Sequence, residues 1–450
     1  MAADFKRLGR ASSIYVLGGV SAKFAKFLLI PIYVRFLTPT EVGIVIWLEA
    51  LTFAMGRFLT FGLGQAIKRF YVDYSDERDA DAFSAAIFWV GFVLAGAVGG
   101  LMVIGAWHWD AGLSEELSSR YLMLAIVIGV LQSNLGAPMQ RFVARQEPGK
   151  HSLFELLHFV TTTGLIIYFV VVERMGVAGV LLGQVVGGVA WNGVAAVIMT
   201  KPAGLRFRWE EISRAFRYGL PALPHLLFTW GITFVDRPIL ERYVSLAALG
   251  VYGIGYQLAS VMPVLTNSIL NAWIARFFRT ADHDHGPAEY ARTLTYLLSI
   301  VLAVALGLVV FAPEVVAVLT TDEYLESATI LRLVALGLIF HGTYQALLLV
   351  LFFVQKTQWV STATGVAFFV NIDLPALARS WASLSTIWPP HCSRFETWAL
   401  HPVEARARKS RLKRLTRLVR SSAVRKPGRP SSAAGKPNIR TAFTPVPKKP

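Results

Sequence analysis

Apolar runs of about twenty residues, divided by short polar breaks, dominate the pattern along this chain. A helix needs about 20 mostly apolar residues to cross the hydrocarbon core of a bilayer. Ten stretches meet that need, near 12–36, 42–66, 83–107, 121–143, 152–173, 176–200, 217–240, 246–274, 290–312 and 327–353. An eleventh begins near Thr357 and fails near Asn371. The connections are short, so no separate catalytic module is expected outside the membrane. The segment KPAGLRFRWEEISRAFR, 201–217, alternates Leu205, Phe207, Trp209, Ile212 and Phe216 with arginines. That pattern predicts an amphipathic cytoplasmic linker lying in the interface and joining two halves.

Composition agrees. Of 450 residues, 54% are hydrophobic and 16% charged, against about 25% charged in a soluble domain. The one cysteine, Cys392, excludes an internal disulfide framework and a cysteine metal cluster. The formal charge of +16 is localised: from Asp373 onward there are 17 Lys/Arg and 3 Asp/Glu, against 27 and 25 before it. A nearly neutral body gives no support for nucleic acid as a partner. The basic start, MAADFKRLGR, reads as the flank of an uncleaved first span. Lys and Arg gather in alternate loops, at Lys68–Arg69, Arg141–Arg145 and Lys201–Arg217. This places those loops and the N-terminus in the cytoplasm.

The two halves share a pattern. In one ungapped register Phe27 falls on Phe234, Pro31 on Pro238, Arg35 on Arg242, Gly43 on Gly250 and Arg69 on Arg276. An even number of spans separates the copies, so the repeat is parallel, and a substrate site is expected between the halves near the midplane.

Charges inside spans carry the functional expectation. Lys23 and Lys26 interrupt GGVSAKFAKFLLIPIY. Lys23 lies about 16 Å into the first span at 1.5 Å per residue, near the middle of a core about 30 Å thick. The second span returns with Arg57 near the depth of Lys23 and Glu49 near that of Lys26. Lys23, Lys26 and Arg57 are the expected substrate-binding residues of a cationic, water-filled cavity, with Glu49 a partial counterion. An ion-pair network between helices is the structural alternative. Asp236 and Arg237 read as a local ion pair or, alternatively, as a coupling site for a cation or proton. His225 and His341 are lone histidines in apolar helices. Gln132, Asn134, Gln184, Asn192, Asn267 and Asn271 suit sugar hydroxyls or helix–helix hydrogen bonds. No motif for chemistry, cofactor or metal is present, and His283 and His285 read as a solvated loop.

Two stretches carry a family resemblance. DRPILERYVSLAALGVYGIGYQLA, from Asp236, and PIYVRFLTPTEVGIVIWLEAL, from Pro31, resemble the polysaccharide biosynthesis/export family of Wzx-type flippases. That family sits within the multidrug/oligosaccharidyl-lipid/polysaccharide exporter superfamily. The resemblance spans roughly residues 5–372. It implies an all-α, two-lobe membrane bundle built from a parallel six-helix repeat, working by alternating access. It further implies that Lys23, Lys26 and Arg57 face the diphosphate of a polyprenyl-linked oligosaccharide in the bacterial inner membrane. The expected partners are that lipid-linked anionic oligosaccharide, membrane lipid and other polysaccharide-assembly proteins. The expected organisation is 1–200 as the N-terminal lobe, 201–217 as linker, 218–372 as a truncated C-terminal lobe and 373–450 as a basic, disordered tail. The second lobe is thus incomplete. Either the tail is genuine and binds anionic lipid, or the reading frame shifts near Asn371. Three other functions compete: a drug/cation antiporter, a non-transporting scaffold and a membrane enzyme of envelope synthesis.

Overall fold

The computed structural model describes Phe27 and residues 29–108, 117–280, 286–353 and 362–370. Among the described residues every regular element is a helix. Lys23, Lys26, His283, His285, Cys392 and the expected tail at 373–450 lie outside them.

The first span is described from its C-terminal end, α1 (Ile30–Phe36), with Pro31 in its first turn. The second is α2 (Pro39–Phe58), opened by a capping box. Thr38 N donates to Glu41 Oε2 at 2.8 Å, and the Thr38 hydroxyl accepts from Glu41 N at 3.3 Å. The span then breaks at Leu59–Gly62 and continues as α3 (Leu63–Phe70), bent by 48°. Phe61 and Gly62 turn the chain with φ of 48° and 71°, a conformation that is costly for a residue with a side chain. Next come α4 (Glu77–His108), α5 (Ser119–Ala144), α6 (Pro148–Ile167) and α7 (Gly176–Thr200). A π-helical turn at Tyr168–Val172 prolongs α6.

The linker forms α8 (Trp209–Gly219), which starts later than the 201–217 expected from the alternation. Leu205, Phe207 and Trp209 stay exposed, while Ile212, Ala215 and Gly219 are buried. The seventh stretch, expected as one span over 217–240, is broken. It runs through a 3₁₀ turn at Leu220–Ala222, α9 (Leu223–Phe234) and α10 (Asp236–Glu241). Pro221, Pro224 and Pro238 supply no N–H to the helical ladder, which explains the fragments. The rest is α11 (Leu246–Ala259), α12 (Val261–Thr280), α13 (Gly286–Val310), α14 (Ala312–Leu319) and α15 (Ser327–Phe353). Residues 362–370 are helical and belong to the eleventh stretch. Phe368 there packs on Phe228 of α9 with ring centroids 5.2 Å apart. Seven described helices are long and apolar enough to cross a membrane, or eight with the bent α2–α3 pair.

The repeat is visible in how the halves meet. Ser245 caps α11 as Thr38 caps α2, accepting from Ala248 N at 3.3 Å. The two helices touch through glycines. A Cβ on Gly43 would lie 1.8 Å from the Leu246 carbonyl oxygen, and one on Gly250 would lie 2.2 Å from that of Pro39. Each glycine thus faces the first turn of the other helix, as a two-fold contact requires. One apolar core crosses this seam, joining Val42, Val45 and Leu48 to Leu249, Ile254 and Tyr324. At the other end lie two cores. Ile67, Phe83, Phe142 and Met199 form one, and Met262, Leu270, Val301 and Ala335 the other. Among the described residues the halves are therefore fused at the end carrying the α2 and α11 caps. At the end with the basic loops each has its own core.

That second end of the first half is tied by charge. Asp81 is buried and accepts from Arg141 Nε at 2.8 Å, Arg145 Nη1 at 2.9 Å and the Tyr71 hydroxyl at 2.9 Å. Arg141 also donates to the Ile198 carbonyl at 2.7 Å. The linker joins through Arg214–Asp73 at 2.6 Å and Arg206–Asp79 at 3.2 Å. Arg214 also lies 4.0 Å above the Phe70 ring.

Candidate functional site

Glu49, Phe53 and Arg57 recur every fourth residue on α2, so they share one face of the helix. That face meets α9. Phe53 packs on Phe234 with centroids 4.8 Å apart, and Trp230 Nε1 donates to the Ala50 carbonyl at 2.9 Å. Glu49 and Arg57 are both exposed. They lie two turns apart, about 12 Å along the axis, too far for a direct ion pair. The Arg57 guanidinium sits 4.8 Å above the Phe53 ring, and among the described residues it makes no ion pair or hydrogen bond. Because Lys23 and Lys26 fall outside the described residues, the expected cluster is represented by Arg57 and Glu49.

Beside Arg57 the broken second span opens a cavity of about 100 Å³. Thr60, Gln65, Ser133, Asn134 and Gln140 bring polar groups to it, and Leu226 of α9 covers it. Among the described residues no carboxylate lines it. Two walls are helices whose hydrogen-bond ladder is interrupted. One is the turn at Phe61–Gly62. The other is α5 at Pro138, where the Asn134 carbonyl loses its usual i+4 donor. Non-helical backbone at membrane depth is tolerated where it lines a cavity. The sequence does not single out Gln65 and Gln140, since their place at a cavity depends on the break in the second span and on how α5 packs beside it. It does single out Asn134, whose Nδ2 donates to Asn192 Oδ1 at 3.1 Å. Asn192 in turn donates to the Leu131 and Gly188 carbonyls at 3.0 and 2.8 Å, and Asn267 accepts from Gln345 at 3.3 Å. Asn192 and Asn267 thus join helices. A second cavity, of about 470 Å³, lies at the fused end beside Arg35, Glu41 and Arg174 and is mixed in charge.

Asp236 and Arg237 are an ion pair at 2.9 Å. Arg237 is buried, donates to the Thr233 carbonyl at 2.7 Å, and lies 4.7 Å from the rings of both Phe234 and Tyr256. The Tyr252 hydroxyl donates to the other oxygen of Asp236. Both charges are fully engaged, and they are not brought to Arg57's cavity. Among the described residues no group of three His, Cys, Asp or Glu is placed to hold a metal, and His225 and His341 are separate from one another in the chain and from any such group.

Comparison with known proteins supplies a frame for this geometry. A family model described as polysaccharide biosynthesis protein matches residues 8–281. No curated protein matches the chain. Several solved structures share the fold. A multidrug resistance MATE family transporter of the MOP superfamily, in an inward-facing conformation, matches with a TM-score of 0.53 at 15% identity, over 80% of this chain and 84% of that one. A MATE protein in the straight conformation matches at 0.52 and 16% identity, over 76% and 82%. A MOP superfamily transporter from Pyrococcus furiosus matches at 0.51 and 15% identity, over 83% and 96%. It is described as having a binding pocket of reverse polarity that suggests a different function.

Proposed function

This chain belongs to the polysaccharide biosynthesis protein family, and from that premise we propose that it carries a polyprenyl-diphosphate-linked oligosaccharide across the bacterial inner membrane. It is a multi-pass membrane protein with a transporter fold. The observation that carries the reading is Arg57, a cation within an apolar span, without a carboxylate partner among the described residues, beside a polar cavity. An unpaired intramembrane charge costs several kcal/mol unless water or a ligand answers it. A diphosphate is the ligand that fits, and Lys23 and Lys26 enter the proposal as further cations on the neighbouring span. The mechanism proposed is alternating access, and it is supported by a common core at one end and two separate cores at the other. The lobes at 1–200 and 218–372 are the two moving bodies in this scheme, and the N-terminus is cytoplasmic. Asp236 is a strut for α9–α11, and a part in ion coupling is the competing role.

Drug export is the second reading, because a fold neighbour is a multidrug resistance transporter. A cationic drug is ill served by a cavity whose charged lining group is an arginine.

The test is reconstitution of the full chain in liposomes with a fluorescent polyprenyl-diphosphate oligosaccharide, read as protection of the label from a membrane-impermeant quencher. Transport should appear with the native chain. It should fall by about 10–100-fold in Arg57→Gln, the loss of a hydrogen bond to a charged group. Unchanged transport in that variant would remove Arg57 from the path, and export of lipophilic cations instead of the lipid would favour the drug reading.

A further inference from the structure

We propose that the cavity at the break in the second span is a specificity pocket. Arg57 takes a phosphate oxygen there. Gln65, Gln140 and Asn134 read a hydrogen-bonding substituent on the sugar joined to that phosphate. This rests on the carrier reading above and adds to it which part of the cargo is recognised and by what.

Four observations carry it. First, the polar groups are available. The side-chain carboxamides of Gln65 and Gln140 make no hydrogen bond among the described residues, and the Asn134 carboxamide oxygen accepts none. Asn134 is buried, and a buried carboxamide oxygen left without a partner carries a cost, whereas Gln65 is exposed and Gln140 half-buried. Second, the chemistry is selective. A carboxamide offers both donor and acceptor and no charge, which suits a hydroxyl or an acetamido group better than a second phosphate. Third, the size fits a part and not the whole. A space of about 100 Å³ holds a substituent, with the sugar ring outside and the phosphate at the mouth, on Arg57. Fourth, the walls are built for it. The turn at Phe61–Gly62 breaks one helix, and the proline at 138 removes a ladder hydrogen bond from another, beside the same cavity. Gln140 packs against Gly64, where a Cβ would lie 3.5 Å from its Cγ. Leu226 closes the cavity from α9, so an occupant touches both halves of the repeat.

The experiment measures binding of three probes to the full chain in detergent: a polyprenyl diphosphate alone, one bearing glucose and one bearing N-acetylglucosamine. The native chain should bind at least one sugar-bearing lipid about 10-fold more tightly than the bare one, the worth of one good hydrogen bond. Gln140→Leu and Gln65→Leu should each shrink that ratio below about 3-fold. A ratio is read on one preparation, so partial misfolding does not imitate the effect. If the native chain binds all three lipids equally, or Gln140→Leu keeps the native ratio, the pocket is not a reader of the sugar. If it binds none of them, the carrier reading fails first and the pocket falls with it.

Discussion

Asp81 is a carboxylate with three donors, and its burial makes it the most consequential single residue outside the cavity. Removing one member of a buried pair strands the other charge, at a cost of about 3–5 kcal/mol. Asp81→Ala should therefore lower the detergent melting temperature of the chain, and Arg141→Leu together with Asp81→Leu should recover part of it. Equal melting of Asp81→Ala and the native chain would mean that water replaces the carboxylate. Arg57 behaves differently at the same scale. Its guanidinium has a ring beneath it and no carboxylate, so Arg57→Gln should leave melting nearly unchanged while transport falls. The sequence shows Arg57, Glu49, Asp236 and Arg237 plainly, because a charge inside an apolar run stands out. It hides Gln65 and Gln140. Nothing in a single polar residue says that a neighbouring span breaks, as the second does after Phe58, and leaves a hole beside it.

At the level of elements, the ten expected stretches coincide in place with described helices or their ends, because twenty apolar residues leave a helix as the solution in lipid. Three depart in form: the second breaks at Leu59–Gly62, the eighth divides at Ser260 into α11 and α12, and the seventh lies in three pieces. Three prolines divide it, and apolar run length counts hydrophobicity without counting missing N–H groups. The seam between α2 and α11 was legible only as a repeat of glycines. That they face each other's first turn required the fold. The seam yields a prediction of its own. A side chain at Gly43 must displace the Leu246 backbone, so Gly43→Leu should hold the fused end apart. In a chain with Cys392→Ser and Trp47→Cys, and with the N-terminus cytoplasmic as proposed above, a membrane-impermeant thiol reagent applied from outside should label Gly43→Leu faster than the parent. Equal labelling would show that the helices accommodate leucine without parting.

For the whole molecule, the repeat and the charged loops made the class legible, and the family match and fold neighbours confirm it. The basic tail from Asp373 is outside the described residues, so its origin is a question for the gene. Reading all three frames across the codons for Gly365 to Pro390 decides it. Two further apolar spans in another frame would mean a shifted reading frame, and their absence would make the tail the chain's own.

The shared core at the sealed end has a thermal consequence. If that seam parts into water during each cycle, it exposes apolar surface, and such exposure carries a positive heat-capacity change. The opening step is then not a fixed barrier, and its enthalpy grows with temperature. Transport by the reconstituted chain should give a curved Arrhenius plot in fluid bilayers of constant composition, and the curvature should lessen in Gly43→Leu, where the seam is already loosened. A straight plot for both would place the slow step elsewhere in the cycle.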